Sequence, residues 1–300
     1  MRNSTKANKI LEKCPVCGSA SLTIIKKSET IPKKISFTYE FSRASRKTLQ
    51  VIRCKNCTHV FCSPIPKDIY KNYKDVIDKN YLKYKESRIL SANEILKTLK
   101  KYKTKGRLLD VGCATGDFLF VAGELGYQVE GLELSKWSSR IARDKGLKIY
   151  EQTLKAMSKK YPKRYDVISM WGVIEHFEKP FEEMIYINKL LKKDGLLVLW
   201  TGDVESVTSK ILGRKWWYWQ GQHIQYFSHK SLNMLASGTG FKHISTSLYP
   251  QAMSYSQISN SLNRYKFKDF FLLLLFPFFK VNKILYLKIP GEMFWIGKKK

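Results

Sequence analysis

Hydrophobic and polar positions follow two different periods along most of the chain. Short apolar runs that end in small or acidic residues predict buried strands, and apolar residues at helical spacing fill the segments between them. The predicted strands, in chain order, are GRLLDVGC (106–113), YQVEGLEL (127–134), LKIYEQTL (147–154), YDVISMWG (165–172), GLLVLWTG (195–202), FKHISTSLY (241–249) and GEMFWIGKKK (291–300). The predicted helices are DFLFVAGELG (117–126), SKWSSRIARDKG (135–146), PFEEMIYINKLLKKDG (180–195) and SHKSLNMLASGTG (228–240). Strands that alternate with helices in this way predict an α/β fold with a parallel sheet between two helical layers.

Three parts of the chain differ in their patterning. Residues 1–66 contain two Cys-x-x-Cys pairs, whereas residues 67–105 are rich in Tyr and Lys and read as a helical connector. The α/β domain is expected over residues 106–300. Its regular alternation is interrupted at 203–227, which is dense in aromatic residues, and at 250–290, and we interpret both segments as insertions.

The second insertion contains an unusually apolar stretch, FKDFFLLLLFPFFKVNKILYLKI (267–289). Its longest uninterrupted apolar run, 270–279, is half of the roughly 20 residues that a bilayer-spanning helix needs, so we do not expect a transmembrane segment. Burial against the sheet or in an oligomer interface is slightly preferred for this stretch, and its flanking lysines make a position in the interface of an anionic membrane the alternative. The sequence leaves both open, together with the oligomeric state.

The chain is strongly basic, with a formal net charge of +29 from 54 Lys and Arg against 25 Asp and Glu. The charge lies mainly in the first and last hundred residues, which suggests an anionic partner such as a membrane surface, a phosphorylated substrate or a nucleic acid. A lysine-rich proteome would give the same balance. The polar N-terminal sequence MRNSTKANKI lacks an apolar signal core, so we expect a cytoplasmic protein, peripheral to the inner membrane face if the apolar stretch contacts lipid.

The cysteine spacing predicts a metal site. Two Cys-x-x-Cys pairs in a chain without a signal peptide are typical of metal ligands rather than disulfides. Four thiolates close a tetrahedral Zn²⁺ site and leave no open coordination position, so we expect a structural role for the metal. The predicted ligands are Cys14, Cys17, Cys54 and Cys57, although the neighbouring His59 and Cys62 could substitute for one of them.

The segment LLDVGCATGDF (108–118) predicts a ligand-binding turn between a strand and a helix. Glycines at 112 and 116 allow close approach to the backbone, and the following helix offers free N–H groups. Its spacing differs from the G-x-G-x-x-G of a dinucleotide site, and acids at both ends would repel a pyrophosphate. Glu133, at the tip of the next strand, is placed to accept the hydroxyls of a ribose. A ribose together with an ammonium group describes S-adenosylmethionine.

This segment resembles the first motif of class I S-adenosylmethionine-dependent methyltransferases, with Ala114 at the middle glycine position. YDVISMWGVIEHFEKP and GQHIQYFSHKSLNMLASGTGF are similar to later segments of the ubiquinone-methyltransferase-like and sugar-methyltransferase branch. The resemblance implies a Rossmann-like seven-stranded sheet whose last strand is antiparallel, preceded by a small zinc-ribbon domain. It implies cofactor contacts from Asp110, Gly112, Ala114, Gly116, Asp117, Glu133, Leu134, Leu154 and Trp171.

Candidate catalytic groups lie after the fourth predicted strand and in the first insertion. Transfer of a methyl group to a hydroxyl requires a base, and histidine is the natural base near neutral pH. We therefore single out His176, its neighbour Glu175, and His223. Gly172 stands where ubiquinone-pathway O-methyltransferases have a metal-binding carboxylate, so a catechol-type mechanism is not expected. The tryptophans of the same insertion could stack on a sugar or pack as a lid.

These features predict a methyltransferase for a small-molecule or lipid-linked acceptor, with a sugar or nucleotide-sugar of surface polysaccharide synthesis favoured. An RNA methyltransferase, gripping RNA through the ribbon and the basic flanks, is the alternative. The absence of an N/D-P-P-Y/F motif after the fourth strand excludes one class of RNA methyltransferases, those that modify exocyclic amines, but not the others. A non-catalytic ribbon-containing binding module is the third hypothesis.

Overall fold

The computed structural model describes residues 10–28, 49–65, 73–263, 265 and 284–300. The strands are β1 (Leu22–Lys26), β2 (Val51–Cys54), β3 (Val60–Cys62), β4 (Gly106–Val111), β5 (Tyr127–Leu132), β6 (Ile149–Tyr150), β7 (Tyr165–Trp171), β8 (Leu191–Gly202), β9 (Gln225–Tyr226), β10 (Phe241–Ser247), β11 (Pro250–Ser254), β12 (Ile284–Lys288) and β13 (Glu292–Lys299). The helices are α1 (Lys79–Lys83), α2 (Lys85–Leu99), α3 (Asp117–Glu124), α4 (Lys136–Asp144), α5 (Leu154–Lys160), α6 (Pro180–Leu190), α7 (Val207–Leu212), α8 (His229–Gly238) and α9 (Tyr255–Leu262).

A seven-stranded sheet forms the centre of the fold, in the order β10-β13-β8-β7-β4-β5-β6. The pairs that join β4 to β8 and to β6 are parallel, whereas β13 runs antiparallel to both of its neighbours. Successive residues point to opposite faces, so that Leu108 and Leu109 enter separate cores. Helices α2, α3 and α4 cover one face, and α5, α6 and α8 cover the other. The predicted Rossmann-like sheet with its antiparallel last strand is therefore confirmed.

Two predicted element boundaries are wrong. The helix expected over 180–195 ends at Leu190, because Lys192, Lys193 and Asp194 offer no further apolar positions at helical spacing. Strand β8 begins at once, and Asp194 turns the chain with a φ of 62°. The strand expected over 147–154 is only two residues long, since the Thr153 hydroxyl caps helix α5.

A second, antiparallel sheet contains the N-terminal strands in the order β1-β2-β3-β9. Strands β1 to β3 carry or flank the two Cys-x-x-Cys pairs, whereas β9 comes from the aromatic-rich insertion more than 160 residues later. Strand β9 thus joins the N-terminal sheet to the larger domain.

The second insertion is described only in part. Strands β11 and β12 pair antiparallel, and α9 follows β11 directly. The apolar stretch predicted to meet a membrane, a protein core or a partner lies outside the described residues except for β12 and Ile289. Among the described residues, no helix combines the length and apolar character needed to cross a bilayer.

Candidate functional site

The turn between β4 and α3 has the conformation that its glycines predict. Gly112, Ala114 and Gly116 have φ angles of 70°, 46° and 77°, which lie in the left-handed region. A Cβ on Gly116 would lie 2.4 Å from Leu147 Cδ1, so a side chain here would be conformationally strained and would also require Leu147 to move. Gly116 is also the N-cap of α3 and leaves the first N–H groups of the helix without a side-chain cap. The turn therefore presents backbone to the space above the sheet.

Two predicted acids lie beside this turn, at the carboxyl ends of β4 and β5. Asp110 is almost fully buried and accepts a 2.6 Å hydrogen bond from Ser169 Oγ, and burial raises its pKa to about 8. Glu133 accepts hydrogen bonds from the backbone N–H groups of Ala114 (2.9 Å) and Ser135 (2.7 Å), and burial raises its pKa as well. Glu133 thus fixes the turn in addition to facing the cleft.

Asp117, the third predicted acid, is already paired with two cations. Arg88 on α2 donates to Asp117 Oδ2 at 2.8 Å, and Lys145 donates to Oδ1 at 2.6 Å. Lys145 also donates to the Thr115 carbonyl at 2.7 Å. Asp117 is therefore not the uncompensated negative charge that the sequence predicted. Asp117 instead orders the basic residues beside the turn.

Leu134, Leu154 and Trp171, the remaining predicted cofactor contacts, line the same cleft. Gln152 joins them from the loop before α5, and its buried Nε2 has no hydrogen-bond partner among the described residues. The buried Trp171 Nε1 is also unpartnered within the described part of the chain. An apolar wall with unused donors is suited to a planar heterocycle that carries acceptor atoms.

These groups surround a cleft of about 730 Å³ that opens at the carboxyl ends of the parallel strands. Strand order reverses between β4 and β7 at this edge, which is where open α/β sheets bind ligands. The walls come from α2, the loop before α1, the turn after β4, the loop after β7, the aromatic insertion and β11. The cleft is large enough for a nucleoside and an acceptor side by side.

Glu175 lies at the base of this cleft within a buried hydrogen-bond network. Its carboxylate accepts from the hydroxyl of Tyr218 in a short hydrogen bond and from Thr201 Oγ1 at 3.1 Å. Burial raises the pKa of Glu175 to about 7, although both hydrogen bonds oppose the shift. The carboxyl group can therefore exchange a proton near neutral pH.

The two predicted histidines meet beside Glu175. Their ring centroids are 5.0 Å apart, and one ligand atom from each ring and from Glu175 lies within 4.8 Å of the others. Nδ1 of His176 lies 2.9 Å from the Gln222 carbonyl, and Nδ1 of His223 lies 2.8 Å from the Tyr218 carbonyl. A carbonyl accepts only from N–H, so the proton of neutral His223 is on Nδ1 and the lone pair on Nε2. Burial lowers the pKa of both rings, that of His176 to about 4, and keeps them neutral.

An aromatic wall also lines this cleft. Trp200 and Tyr249 stack with centroids 4.6 Å apart, and Trp217 lies beside them. Glu292 joins Trp200 to Trp217 by accepting from both indole N–H groups, at 2.9 and 2.7 Å. Trp216 is buried in the core between the N-terminal sheet and the insertion. Of the tryptophans in the insertion, Trp217 is therefore the one that lines the cleft.

The four predicted metal ligands form a compact cluster. Their Sγ atoms all lie within 4.8 Å of one another, and the closest pairs, Cys14–Cys57 and Cys17–Cys54, are 3.5 and 3.6 Å apart. Tetrahedral zinc with Zn–S bonds of about 2.3 Å requires S–S separations of about 3.8 Å. Each second cysteine is followed by a residue in the left-handed region, Gly18 or Thr58. His59 and Cys62, the alternative ligands, are absent from the cluster and hydrogen-bond elsewhere.

Several residues of the cleft gave no clear signal in the sequence. Arg88 and Tyr73 come from the stretch that the sequence predicts to be a connector. Predicting that they line the cleft would have required knowing that this stretch folds over the turn. Tyr218 lies among the tryptophans in the sequence, and nothing in this aromatic-rich segment distinguishes it from them. Gln152 lies in a segment predicted as strand, so its exposure to the cleft was not anticipated.

Comparisons with known proteins agree with this geometry. Residues 82–246 match a family model described as a methyltransferase domain. A ubiquinone biosynthesis O-methyltransferase from Proteus mirabilis is 30% identical over 95 residues, and one from Vibrio cholerae is 32% identical over the same length. Each match covers 30% of this chain but only 39% of the relative.

The fold comparison gives the same result over a longer range. A S-adenosylmethionine-dependent methyltransferase from Archaeoglobus fulgidus has a TM-score of 0.52 and 19% identity, with 74% of this chain and all of the other covered. At that identity the likeness concerns the fold. The family model covers more than half of the chain and includes the glycine turn, Glu133 and both candidate catalytic histidines. The chain therefore belongs to the methyltransferase-domain family and has the fold of S-adenosylmethionine-dependent methyltransferases.

Proposed function

We propose that this methyltransferase acts on the hydroxyl of a small polar acceptor, a sugar or nucleotide-sugar that is free or lipid-linked. The observation that carries the proposal is the position of His223. Its neutral ring is oriented by the Tyr218 carbonyl and lies beside Glu175, in the same cleft as the glycine turn and the aromatic wall. A base and a stacking surface are thus available to one acceptor.

The residues of the glycine turn fit S-adenosylmethionine, which supplies an electrophilic methyl group when bound. Glu133 is placed to accept from ribose hydroxyls, and Asp110 can balance the charge of an amino group. Leu134, Leu154 and Trp171 would enclose the adenine, with the unpartnered amide of Gln152 at its edge. This assignment is supported by the two buried N–H donors of the wall, Gln152 Nε2 and Trp171 Nε1, that have no hydrogen-bond partner among the described residues.

His223 would remove the acceptor proton through Nε2, because Nδ1 already donates to the Tyr218 carbonyl. Neutrality at pH 7 follows from burial, which lowers the pKa of the ring. Glu175 lies close enough to stabilise the imidazolium that forms, and Tyr218 and Thr201 hold the carboxylate in place. His176 completes the cluster and orients the loop through its contact with the Gln222 carbonyl.

Recognition of a sugar is supported by the aromatic wall and its carboxylate. The faces of Trp217, Trp200 and Tyr249 can cover the apolar C–H face of a pyranose, while Glu292 offers acceptors at their edge. Carboxylates and imidazoles are suited to hydrogen-bonding hydroxyl groups. An acceptor of this class uses both the apolar and the polar parts of the cleft.

RNA is less well supported by the charge distribution. A basic cleft of about 610 Å³ does lie at the opposite edge of the sheet, beside the amino ends of the strands. Two of its cations are engaged by acids, Arg164 by Glu130 at 2.5 Å and Lys192 by Asp166 at 2.8 Å. This cleft is also separated by the whole sheet from the methyl-transfer site.

For the cysteine cluster we propose one structural Zn²⁺. The sulfur spacing fits the ion, and the Asn56 amide lies 3.6 Å from Cys17 Sγ, where it can hydrogen-bond a thiolate. Four protein thiolates leave no position for a substrate, so the ion would act by closing the ribbon.

Membrane contact would follow if the acceptor is lipid-linked. Val207 and Ile211 on α7 are 71% and 77% exposed, and Lys210 lies between them. Tyr265, which precedes the apolar stretch in the sequence, donates to the Lys215 carbonyl at 3.1 Å, three residues after α7. Flotation with phosphatidylglycerol vesicles at low salt tests the idea, with a Phe271, Leu273 and Leu275 to Ser variant expected to stay unbound. Failure of the intact protein to float restricts the acceptor to soluble sugars.

Transfer of a radiolabelled methyl group from S-adenosylmethionine tests the acceptor class. Nucleotide-sugars, lipid-linked saccharides and total RNA are offered separately, and label is expected only in the saccharides. Label in RNA that declines steeply with salt would replace this proposal with the RNA alternative.

Histidine variants test the mechanism. His223→Gln should lower turnover about 100-fold or more, while the affinity for S-adenosylmethionine stays within about twofold. His243→Gln is the matched control, because His243 is exposed on β10 and bonds only to Thr246 Oγ1 at 2.8 Å among the described residues. Near-normal turnover in His223→Gln would exclude it as the base.

A further inference from the structure

We propose that the N-terminal ribbon is a positioning element of the methyl-transfer site, and that His59 and Gln225 form its link to His223. Both are positioning residues, since neither lines the cleft. The inference rests on the proposed role of His223 as the base. It assigns to the ribbon a function in catalysis in addition to its own folding.

The first support is that the ribbon sheet is completed by the active-site insertion. Val60 and Phe61 of β3 pair with Tyr226 and Gln225 of β9, which follows His223 by only two residues. The pairing continues past the strand, because the Cys62 N–H donates to the Ile224 carbonyl at 2.8 Å. The backbone on the carboxyl side of His223 is therefore held as an edge strand of the ribbon.

The same short segment bonds directly to the loop that carries Glu175. The Ile224 N–H donates to the Glu175 carbonyl at 3.0 Å. Ile224 therefore hydrogen-bonds to the ribbon through its carbonyl and to the loop after β7 through its N–H. A shift of the ribbon relative to the sheet would move both candidate catalytic residues.

A buried side-chain relay runs in parallel with this backbone path. Gln225 Nε2 donates to the Phe177 carbonyl at 2.9 Å, which fixes the orientation of the amide. Its Oε1 then faces His59 Nε2 at 2.8 Å and must accept a hydrogen bond from the Nε2–H group. The His59 ring is packed between Phe61 and Phe227, so it has little freedom to move. Gln225 therefore connects His59, which lies near the four-cysteine cluster, with Phe177, which is adjacent to His176.

These contacts have a specific consequence for the base. His223 is the rarer Nδ1–H form because its ring is held against the Tyr218 carbonyl, and that orientation leaves Nε2 as the acceptor. If the segment after His223 loosens, the ring can leave this carbonyl and the Nε2–H form becomes available. The ribbon would thus select the tautomer that can accept the substrate proton.

The experiment records the ring nitrogens of the ¹⁵N-labelled, metal-loaded protein by long-range ¹H–¹⁵N spectroscopy. The chain has five histidines, and the His223 signals are assigned with His223→Gln. Gln225→Leu removes the relay, and His59→Phe removes its N–H while preserving the aromatic packing. Gln50→Leu is the matched control, since Gln50 Nε2 donates to the Ser63 carbonyl at 2.9 Å within the N-terminal part alone. Metal content and the affinity for S-adenosylmethionine are measured for every variant.

We expect an Nδ1–H pattern for His223 in the wild type and in Gln50→Leu, and a mixed or Nε2–H pattern in Gln225→Leu and His59→Phe. Metal content should remain equal, cofactor affinity should stay within about twofold, and kcat should fall at least about tenfold. Should Gln225→Leu fail to fold, His59→Phe carries the test by itself. An unchanged His223 pattern in the relay variants, or an equal change in Gln50→Leu, overturns the inference. The tautomer of His223 in these variants does not depend on whether His223→Gln abolishes turnover. A failed prediction about the base is therefore distinguished from a failed prediction about the ribbon.

Discussion

Replacing Asp110 by Asn should make the ligand-free protein more stable, and increasingly so as the pH rises. Asp110 is 1% exposed at the carboxyl end of β4, and its hydrogen bond from Ser169 does not offset the loss of hydration. Asn keeps the size of the side chain and an oxygen that can accept from Ser169. The substitution therefore removes the charge with little other change.

The magnitude follows from the pKa of the buried carboxyl group. Burial raises it from 3.8 to about 8, so the folded protein holds a proton that the unfolded chain has lost at neutral pH. Below pH 4, Asp110 is protonated in both the folded and the unfolded state and its burial carries no charge penalty. Between pH 4 and pH 8 the unfolded chain releases this proton, so the free energy of unfolding falls progressively. One pKa unit corresponds to about 1.4 kcal/mol, so the penalty at pH 7 is on the order of 4 kcal/mol. The Asn side chain does not titrate, so the variant lacks this pH dependence of its free energy of unfolding.

Urea unfolding of both proteins from pH 5 to pH 9 measures this difference. The stability advantage of Asp110→Asn should grow by about 1.4 kcal/mol per pH unit and level off above about pH 8. Asp144→Asn, on the exposed side of α4, controls for the loss of one negative charge. In calorimetry, Asp110→Asn should bind S-adenosylmethionine more weakly and release no proton from this site. A stability difference that is constant across the pH range refutes the reasoning.

Three further predictions concern the turn and the ribbon. Glu133→Ala should lower the affinity for S-adenosylmethionine by about 2–4 kcal/mol, measured by calorimetry, because a buried charged acceptor is lost; unchanged affinity would end its assignment to the ribose. Gly116→Ala should destabilise the protein by about 1–3 kcal/mol more than Gly126→Ala, since both have positive φ but a Cβ meets Leu147 only at position 116; equal urea midpoints would contradict the clash. The four-cysteine cluster should hold one equivalent of zinc per chain by elemental analysis, and chelation should lower the thermal midpoint; well-folded protein with less than half an equivalent would argue against it.

The parts of the site that could be predicted are those encoded locally. The glycine turn requires left-handed backbone within five residues, and an acid at the tip of the next strand of a parallel sheet must come near it, so Asp110, Gly116 and Glu133 were identified from spacing alone. The four cysteines converge for a similar reason, because each pair forms its own turn. Helix and strand periods were equally local, and with the family resemblance they predicted a seven-stranded sheet with an antiparallel last strand.

The parts that could not be predicted depend on contacts between distant segments. Nothing near Asp117 in the sequence indicates that Arg88, from the stretch read as a connector, neutralises it. The sequence also gives no sign that Gln225 completes a sheet begun at Leu22, because a two-residue strand has no detectable period. Likewise, the three tryptophans of the insertion look equivalent until the fold buries Trp216 and leaves Trp217 at the cleft.

The interior position of β13 has a consequence for the order in which the protein is made. Residues 292–299 are synthesised after every other strand of the sheet, yet they lie between β8 and β10. Until they leave the ribosome, β8 offers an unpaired edge that includes the apolar Leu197, Val198 and Leu199, and β10 has no partner in the sheet. Exposed apolar edges recruit other chains, so the nascent protein passes through a stage that is prone to aggregation. Completion of the sheet, including the Glu292 end of the aromatic wall, must therefore wait until all of its other strands have been synthesised.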